Sequence, residues 1–363
     1  MATTTPNYLW SVPTSSDLLK NGATAIETLG DSADQSLWNS GYGQAGKNKI
    51  INGDFGVWQR GTSFTQADTY CADRWTATYG GASPTAAAIT RQSFTPATAP
   101  VAGYESTYFL RMVTTTIGSC TAAGFEQRIE DVRTYAGQTA TISFWAKADA
   151  ARSAVVVTRQ NFGSGGSTAT YVEAATVSLT TSWTRFTVSY AVPSISGKTV
   201  GTGSYLSFGL RMTTMANGGT MDLWGYQAEY GSYATPFQTA SGSIQGELAM
   251  CQRYFARIIN GADQTNDMLC PSFAYSTTQT LGTVRFPVPL RTSPTVTVSA
   301  ITDFAVYTSS AAAKFTSNIL FTFLSPRSMR VATTIATTDM VAGNGSLIFC
   351  ASATGTLDVS AEL

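Results

Sequence analysis

Histidine is absent from this sequence of 363 residues, and charged residues of either sign are scarce. Because histidine is the commonest general base and metal ligand, its absence excludes Ser-His-Asp catalysis, Cys-His catalysis and histidine-containing zinc sites within the chain. Charged side chains make up 12% of the residues, about half of the roughly 25% that is usual in globular domains. The 22 basic residues are balanced by 22 acidic ones, so no basic surplus exists to neutralise phosphates, and we predict no nucleic-acid partner.

Cysteine motifs and long apolar runs are missing too. The five cysteines include no CxxC pair, and their odd number and wide scatter predict buried free thiols rather than a disulfide framework. No apolar run approaches the ~20 residues of a membrane-spanning helix, and the N-terminus lacks the basic start and apolar core of a signal peptide. We therefore expect no membrane insertion, and folding in the cytosol where the chain is made.

Hydrophobic residues make up 43% of the chain, enough to build cores, and between Ile51 and Phe237 they alternate with polar residues in short segments. Glycine, proline, serine and asparagine break these segments, as expected for strands that bury one face and are joined by turns. The pattern predicts a β-sandwich. The strand candidates span residues 108–115, 123–130, 139–146, 154–160, 169–179, 184–190, 205–212 and 220–229.

Alternation returns in the last hundred residues, in segments such as TVRFPVPL, NILFTFL and SLIFCASA. Prolines at positions 287, 289, 294 and 326 restrict several of these segments to sheet edges or strand ends, because proline cannot donate a ladder hydrogen bond. We predict a second, smaller β-sandwich here, or a tip interwoven between three chains.

Two short helices are predicted beside the strands. The first follows a cap at residue 15 or 16, with Leu18, Ile26 and Leu29 at helical spacing. The second carries apolar residues that step by 4, 3, 4 and 3, as in a heptad seam between chains. One apolar face docked on a sandwich is the alternative. The seam residues are Ile244, Leu248, Cys251, Phe255 and Ile258.

These features divide the chain into four parts. Prolines 6 and 13 flank Tyr8 and Trp10, which predicts an extended arm that is ordered against a partner. The parts are an N-terminal arm and helix at 1–47, a sandwich at 48–240, a heptad helix for oligomerisation at 241–261 and a C-terminal β-domain at 262–363.

The ordered motifs of residues 48–257 resemble the carbohydrate-binding jelly-roll of bacteriophage tail fibres and tail appendage proteins. The matching motifs are INGDF at 51–55, WQRG at 58–61, ADRW at 72–75, QRIEDV at 127–132, TISFW at 141–145, GYQAE at 225–229 and ELAMCQRY at 247–254. The opening of the chain, with PNY at 6–8 and VP at 12–13, is similar to the start of phage tail appendage proteins.

The resemblance implies a homotrimeric virion protein, made in the host cytoplasm and located on the tail or an external appendage. Its N-terminus would attach to other virion proteins, and its jelly-roll would bind host cell-surface polysaccharide. The implied attachment residues are Tyr8, Trp10, Leu18, Ile26 and Leu29.

The resemblance also implies a structural Ca²⁺, because related jelly-rolls often tie the N-terminal strand to the last strand through this ion. Asn52, Asp54 and Asp222 are the candidate ligands, with backbone carbonyls completing an oxygen shell. Against this, Asn-Gly is also the common hairpin turn, and it recurs elsewhere in the chain.

Glycan binding needs aromatic faces that pack on pyranose rings, with amide and carboxylate groups nearby for the hydroxyls. Trp145 stands in opposite strand phase to Ile142 and Phe144, so we expect it to face outward or into a groove if those two are core residues. Burial in a core is the alternative for every aromatic residue. The candidates are Trp145, Trp183, Tyr171, Phe162 and Tyr79.

No catalytic residue is predicted. A glycosidase needs two carboxyl groups roughly 5–9.5 Å apart in a cleft, and Glu126, Glu130 and Asp131 instead alternate with arginines, as in neutralising ion pairs. The leading hypothesis is a structural, glycan-binding virion protein. A passive adaptor or decoration fibre is the alternative, and a polysaccharide depolymerase is a third.

Overall fold

The computed structural model describes residues 3–4, 11–12, 22–40, 46–65, 70–101, 104–264, 266–308 and 313–363. The predicted attachment residues Tyr8, Trp10 and Leu18 lie outside these ranges. About half of the described residues lie in strands, and the helices are α1 (Gly22–Ser40) and α2 (Ile244–Gln252), with a short 3-10 helix at Ile301–Asp303. The all-β class and the two helices are therefore confirmed.

The N-terminal part holds a short hairpin and α1. Strands β1 (Thr3–Thr4) and β2 (Ser11–Val12) pair antiparallel, and α1 contacts β2. Ile26 is exposed on α1, and Leu29 is half-buried. Within the part of the chain that the structure describes, neither helix has the length and hydrophobicity to cross a membrane.

The central unit is a sandwich of a six-stranded and a five-stranded antiparallel sheet. Its strands are β3 (Ser63–Phe64), β4 (Trp75–Gly81), β5 (Ala86–Ser93), β6 (Tyr108–Thr116), β7 (Cys120–Glu130), β8 (Thr139–Ala148), β9 (Arg152–Asn161), β10 (Thr170–Leu179), β11 (Thr184–Ala191), β12 (Tyr205–Met212) and β13 (Gly219–Tyr230). The order is β11-β8-β13-β6-β5-β3 in one sheet and β10-β9-β12-β7-β4 in the other.

Every strand predicted for this unit is present, with ends within three residues of the expected ones. The core lies between the sheets, where Ile142 and Phe144 of β8 are fully buried. Facing strands of the other sheet contribute Phe125 of β7 and Phe208 of β12. Alternate residues of these strands point to the opposite, outer face of each sheet.

The INGDF motif forms a corner that ties the sandwich together. Asn52 adopts a positive φ of 56°, and its side-chain amide bonds the backbone of Val57 and the carbonyl of Asp73. Its backbone N–H donates to the Glu247 carboxylate of α2 at 2.6 Å. A Cβ at Gly53 would lie 2.2 Å from a carbonyl oxygen of β13, so only glycine allows this close approach.

The C-terminal unit combines a three-stranded sheet, β14-β22-β17, with a closed six-stranded barrel, β15-β16-β20-β19-β18-β21. The strands are β14 (Phe255–Asn260), β15 (Asp267–Ala274), β16 (Gln279–Arg285), β17 (Thr295–Val298), β18 (Phe304–Tyr307), β19 (Ala313–Thr322), β20 (Ser328–Ile335), β21 (Gly345–Cys350) and β22 (Thr356–Ser360). Both sheets share one hydrophobic core. A second, smaller β-unit is thus present as predicted, but it is a closed barrel beside a three-stranded sheet rather than a β-sandwich. The four prolines lie outside its strands.

The heptad helix is corrected by the structure. Helix α2 ends at Gln252, and Phe255 and Ile258 belong to β14, which pairs with β22. The 4-3 spacing of apolar residues continues past the end of the helix by coincidence. The residues after the helix form a strand whose partner lies about a hundred positions further along the chain, and such a long-range pairing leaves no signal in the local sequence. Ile244 is 55% exposed and Leu248 is 37% exposed, whereas Cys251 is buried, so the five residues do not form one continuous seam.

The two β-units are joined by a buried set of charges, which we call the Glu362 network (Arg60, Asp73, Arg74 and Glu362). The Glu362 carboxylate accepts hydrogen bonds from both Arg60 and Arg74, and Arg60 also pairs with Asp73 at 3.2 Å. Burial lowers the pKa of Arg74, but the Glu362 carboxylate, together with the smaller effects of Tyr70, Tyr254 and Cys251, outweighs burial and raises the pKa. The Arg74 guanidinium also lies over the ring of Tyr254, 3.4 Å from its centroid.

Replacing Glu362 by Gln should destabilise the protein strongly, because Arg74 is only 1% exposed and would keep a buried charge without its carboxylate. We expect a loss of about 3 kcal/mol or more in the free energy of unfolding, measured by urea denaturation. The matched control is Asp131→Asn, which breaks an exposed pair with Arg133 and should cost less than about 1 kcal/mol. Equal losses for the two variants would contradict this role.

The five cysteines are buried and free in the described structure, as predicted. Burial raises the pKa of Cys71 to about 12 and that of Cys270 to about 11, and the thiol form does not react with alkylating agents. We expect iodoacetamide at about pH 8 to modify none of the thiols in the folded protein and all five after unfolding in urea, as measured by intact mass. Rapid labelling of the folded protein would show that a thiol is accessible.

Candidate functional site

The five predicted glycan-binding aromatic residues differ in how far their side chains are exposed to solvent. Tyr171 is 59% exposed on β10, but Phe162 is buried and Trp145 is 8% exposed. Tyr79 packs against the sandwich core, and half-buried Trp183 packs on the rings of two phenylalanines. Of these five residues, Tyr171 alone presents most of its ring to solvent.

Trp145 has the predicted strand phase but a different environment. It lies on the outer face of the six-stranded sheet, where Trp224, Phe237 and the Arg185 guanidinium cover it. A bulge in β13 places Gly225 under the indole, at a φ of 64°. A Cβ at Gly225 would lie 2.8 Å from the Trp145 ring, so this tryptophan fills a gap in the fold.

Each of the three predicted calcium ligands has hydrogen-bond partners within the described structure, and a bound Ca²⁺ stays a prediction. Asn52 holds the corner described above, and Asp222 forms a two-bond ion pair with Arg111 and a second pair with Lys147. Asp54 accepts from its own loop and from the Tyr104 hydroxyl. Among the described residues, no group of three or more Asp, Glu and Cys side chains is placed to hold a metal. The structure therefore gives these three residues other roles.

The outer face of the five-stranded sheet carries alternating arginine and tyrosine side chains, which we call the arginine–tyrosine ladder (Tyr171, Arg159, Tyr205 and Arg128). Arg159 is opposite Tyr171 in the register of β9 and β10, and its guanidinium carbon lies 5.1 Å from that ring's centroid. The same guanidinium lies 5.7 Å from the ring of Tyr205, and Arg128 lies 5.0 Å from the other side of Tyr205. Cation–π attraction holds such stacks together.

A buried carboxylate lies beside the ladder on the same sheet face. The Glu126 side chain is 4% exposed, and it accepts a hydrogen bond from the Ser207 hydroxyl at 3.3 Å. Its ion pairs with Arg128 and Arg211 are long, at 3.5 and 3.8 Å. Gly209 is its cross-strand partner on β12, so no side chain stands beside it there. Polar acceptors and donors thus adjoin the stacked rings.

The acidic residues do not form an acid–base pair. Glu126 contacts arginines, Asp131 pairs with Arg133, and Glu130 pairs with Arg253 at 2.9 Å. Burial alone would raise the pKa of Glu130, but the hydrogen bonds and charge of Arg253 outweigh it and lower the pKa. The predicted neutralising ion pairs are confirmed, although Glu126 is buried rather than on an open surface.

The ladder and its neighbours have the chemistry that sugar recognition needs. The exposed phenol face of Tyr171 can pack on the C–H face of a ring, while guanidinium, hydroxyl and carboxylate groups can bond to hydroxyls. The sequence prediction included Tyr171 and missed Arg159 and Tyr205. The alternation of β9 did place Arg159 opposite the core residues Ala154 and Val156, but the register that brings it beside Tyr171 depends on strand pairing.

A separate cavity of about 520 Å³ lies between the INGDF corner and residues 104–108, beside Ile244. Asp54, Tyr104 and Tyr108 line it. Burial raises the pKa of the Asp54 carboxyl, which accepts from the Tyr104 hydroxyl at 3.4 Å. Asp54 and Tyr104 are already bonded to each other, so the cavity is a weaker candidate than the sheet face.

Comparison with known proteins gives matches among solved structures only: no family model and no curated protein matches the sequence. The enzymatically active domain of tailspike protein 4 of bacteriophage CBA120 is similar at 16% identity, with a TM-score of 0.32 over 51% of this chain and 21% of that one. The CBM22-1 xylan-binding domain of Paenibacillus barcinonensis Xyn10C shows 17% identity and a TM-score of 0.32, over 53% of this chain and 99% of the domain.

A third similar structure is TmCBM61 in complex with β-1,4-galactotriose, at 13% identity and a TM-score of 0.26 over 51% of this chain and 99% of that one. The chain spans about a fifth of the tailspike protein that it matches. The assignment of a site in this chain rests on its own residues.

Truncating Trp145 and Tyr171 to alanine should have opposite consequences for folding. We expect Trp145→Ala to lower the free energy of unfolding by about 3–5 kcal/mol, because it leaves a cavity among packed rings. Tyr171→Ala should change it by less than about 1 kcal/mol, because most of the ring is already in water. Urea denaturation followed by tryptophan fluorescence measures both. A stable Trp145→Ala variant would contradict its structural role.

Proposed function

We propose that this chain is a structural protein of a bacteriophage tail appendage that binds host cell-surface glycan through the outer face of its five-stranded sheet. The observation that carries the proposal is the arginine–tyrosine ladder, which places an exposed aromatic ring beside cationic and hydrogen-bonding groups. Among the described residues of this face, Glu126 lies beside Arg128 and Arg211, and Glu130 is paired with Arg253, so we propose binding without cleavage.

The virion part of the proposal rests on the motif resemblance. In it, residues 1–47 attach the protein to the particle, and three copies associate. Weak single sites on a trimer bind a polysaccharide far more tightly together than alone, because each bound copy raises the effective concentration of the next. The motifs themselves serve the fold: INGDF forms the corner, and ADRW and WQRG contribute Asp73, Arg74 and Arg60 to the Glu362 network.

Tyr171→Ala should weaken retention on a glycan that the wild-type protein binds by about tenfold, the loss expected when one stacking ring is removed. Retention is measured on an array of bacterial and plant polysaccharides, with Kd determined for each hit. The matched control is Tyr233→Ala, which removes a tyrosine that is 79% exposed on a loop away from the ladder and should bind as wild type.

Two results would count against the proposal. If the wild-type protein is retained by no polysaccharide, the passive adaptor is the better account. If Tyr171→Ala and Tyr233→Ala both bind as wild type, glycan is bound elsewhere on the molecule. Release of new reducing ends during the incubation would instead indicate a depolymerase.

A further inference from the structure

Arg159 differs from the other cations on the outer face of the five-stranded sheet because it has no anionic partner. Arg128 and Arg211 lie within 4 Å of Glu126, and Arg253 is bound to Glu130. Within the described ranges, no carboxylate lies within ion-pair distance of Arg159, and its Nε atom is buried without an acceptor. The ladder therefore contains one guanidinium whose charge is balanced only by two aromatic rings.

The surroundings of Arg159 hold it in place for an incoming ligand. Its guanidinium is stacked between Tyr171 and Tyr205, which restricts the side chain without using its N–H groups. A guanidinium presents parallel N–H donors that match the two oxygens of a carboxylate or a phosphate. Stacking also reduces the rotamer entropy that a flexible side chain would lose on binding.

The charges nearby also favour an anion at this position. Among the described residues, the face carries four guanidinium groups, of Arg128, Arg159, Arg211 and Arg253, against three carboxylates, of Glu126, Glu130 and Glu173. Glu126 is already shared by Arg128 and Arg211, and Glu130 is bound to Arg253. Glu173 is exposed at the sheet edge and forms no ion pair with Arg159, so one cation on this face remains in excess.

We infer that the glycan bound by this face is an acidic polysaccharide, whose carboxylate or phosphate groups pair with Arg159 while a sugar ring packs on Tyr171. The inference rests on the proposed function and adds the class of ligand. A neutral glycan could use the tyrosine ring and the hydroxyl-bonding groups, but it would leave the Arg159 guanidinium without an anionic acceptor. An acidic glycan would pack a sugar ring on Tyr171 and pair its anionic group with Arg159 at the same time.

The test compares polysaccharides that differ only in charge. Kd is measured by isothermal titration calorimetry for polygalacturonate and for the same polymer after reduction of its carboxyl groups, with phosphomannan as the phosphate-bearing arm. We expect at least tenfold tighter binding to one acidic polymer than to the reduced one, and weakening of that binding as salt rises.

The variants identify the residue responsible. Arg159→Gln should lose about tenfold in affinity for the acidic polymer and nothing for the reduced one, while Arg159→Lys should recover part of the loss. Arg133→Gln removes an exposed arginine outside the ladder and serves as the matched control. We expect unchanged urea midpoints, which establish that the variants are folded, because the Arg159 side chain forms no hydrogen bond or ion pair within the described part of the chain.

The outcomes separate this inference from the proposed function. Equal binding of charged and reduced polymers, or acidic binding that survives in Arg159→Gln, overturns the inference and leaves glycan binding standing. Failure to bind these polymers, together with retention by no polysaccharide on the array, overturns both. Equal loss of acidic binding in Arg133→Gln shows a diffuse attraction to net charge and also overturns the assignment to Arg159.

Discussion

The Glu362 carboxylate is the group on which the arrangement of the two β-units depends. Two guanidinium groups, of Arg60 and Arg74, are withdrawn from water at the same place, and each needs a partner there. One carboxylate from the far end of the chain serves both. The same region also holds Arg128, the ladder residue nearest to it. The carbonyl of Arg128 accepts a hydrogen bond from Arg74, and the side chain of Arg128 donates one to the Leu363 carbonyl. Packing between the units and the geometry of the candidate site are therefore coupled.

Most of the fold could be predicted from the sequence because period-two alternation reports burial directly. In β8, Ile142 and Phe144 face the core as the pattern required. Prediction failed where a long-range pairing decided the structure. Phe255 and Ile258 continue the spacing of α2, but they belong to β14, which pairs with β22. Glu247 of α2 is buried as an acceptor for the backbone N–H of Asn52. Local periodicity holds no information about either contact.

The candidate site was predictable only in part, for a related reason. Residue type made Tyr171 one of five candidate glycan-binding aromatics, and strand phase predicted an outward or groove-facing Trp145. What separates the two is the β13 bulge with its glycine at 225, which lets neighbouring rings cover the indole. The sequence did not identify the partner of Tyr171, because Arg159 becomes its neighbour only through strand register. An arginine between a threonine and a glutamine resembles any solvated side chain.

The ladder has one fixed end and one free end. Arg128 is held by bonds to both β-units, whereas Tyr171 stands on β10, an edge strand that pairs only with β9. The outward residues of β10, at 171, 173, 176 and 178, are exposed and carry little of the core. Substitutions there alter an exposed surface while barely changing the free energy of unfolding. This surface can therefore diverge in sequence while the sandwich beneath it stays as it is.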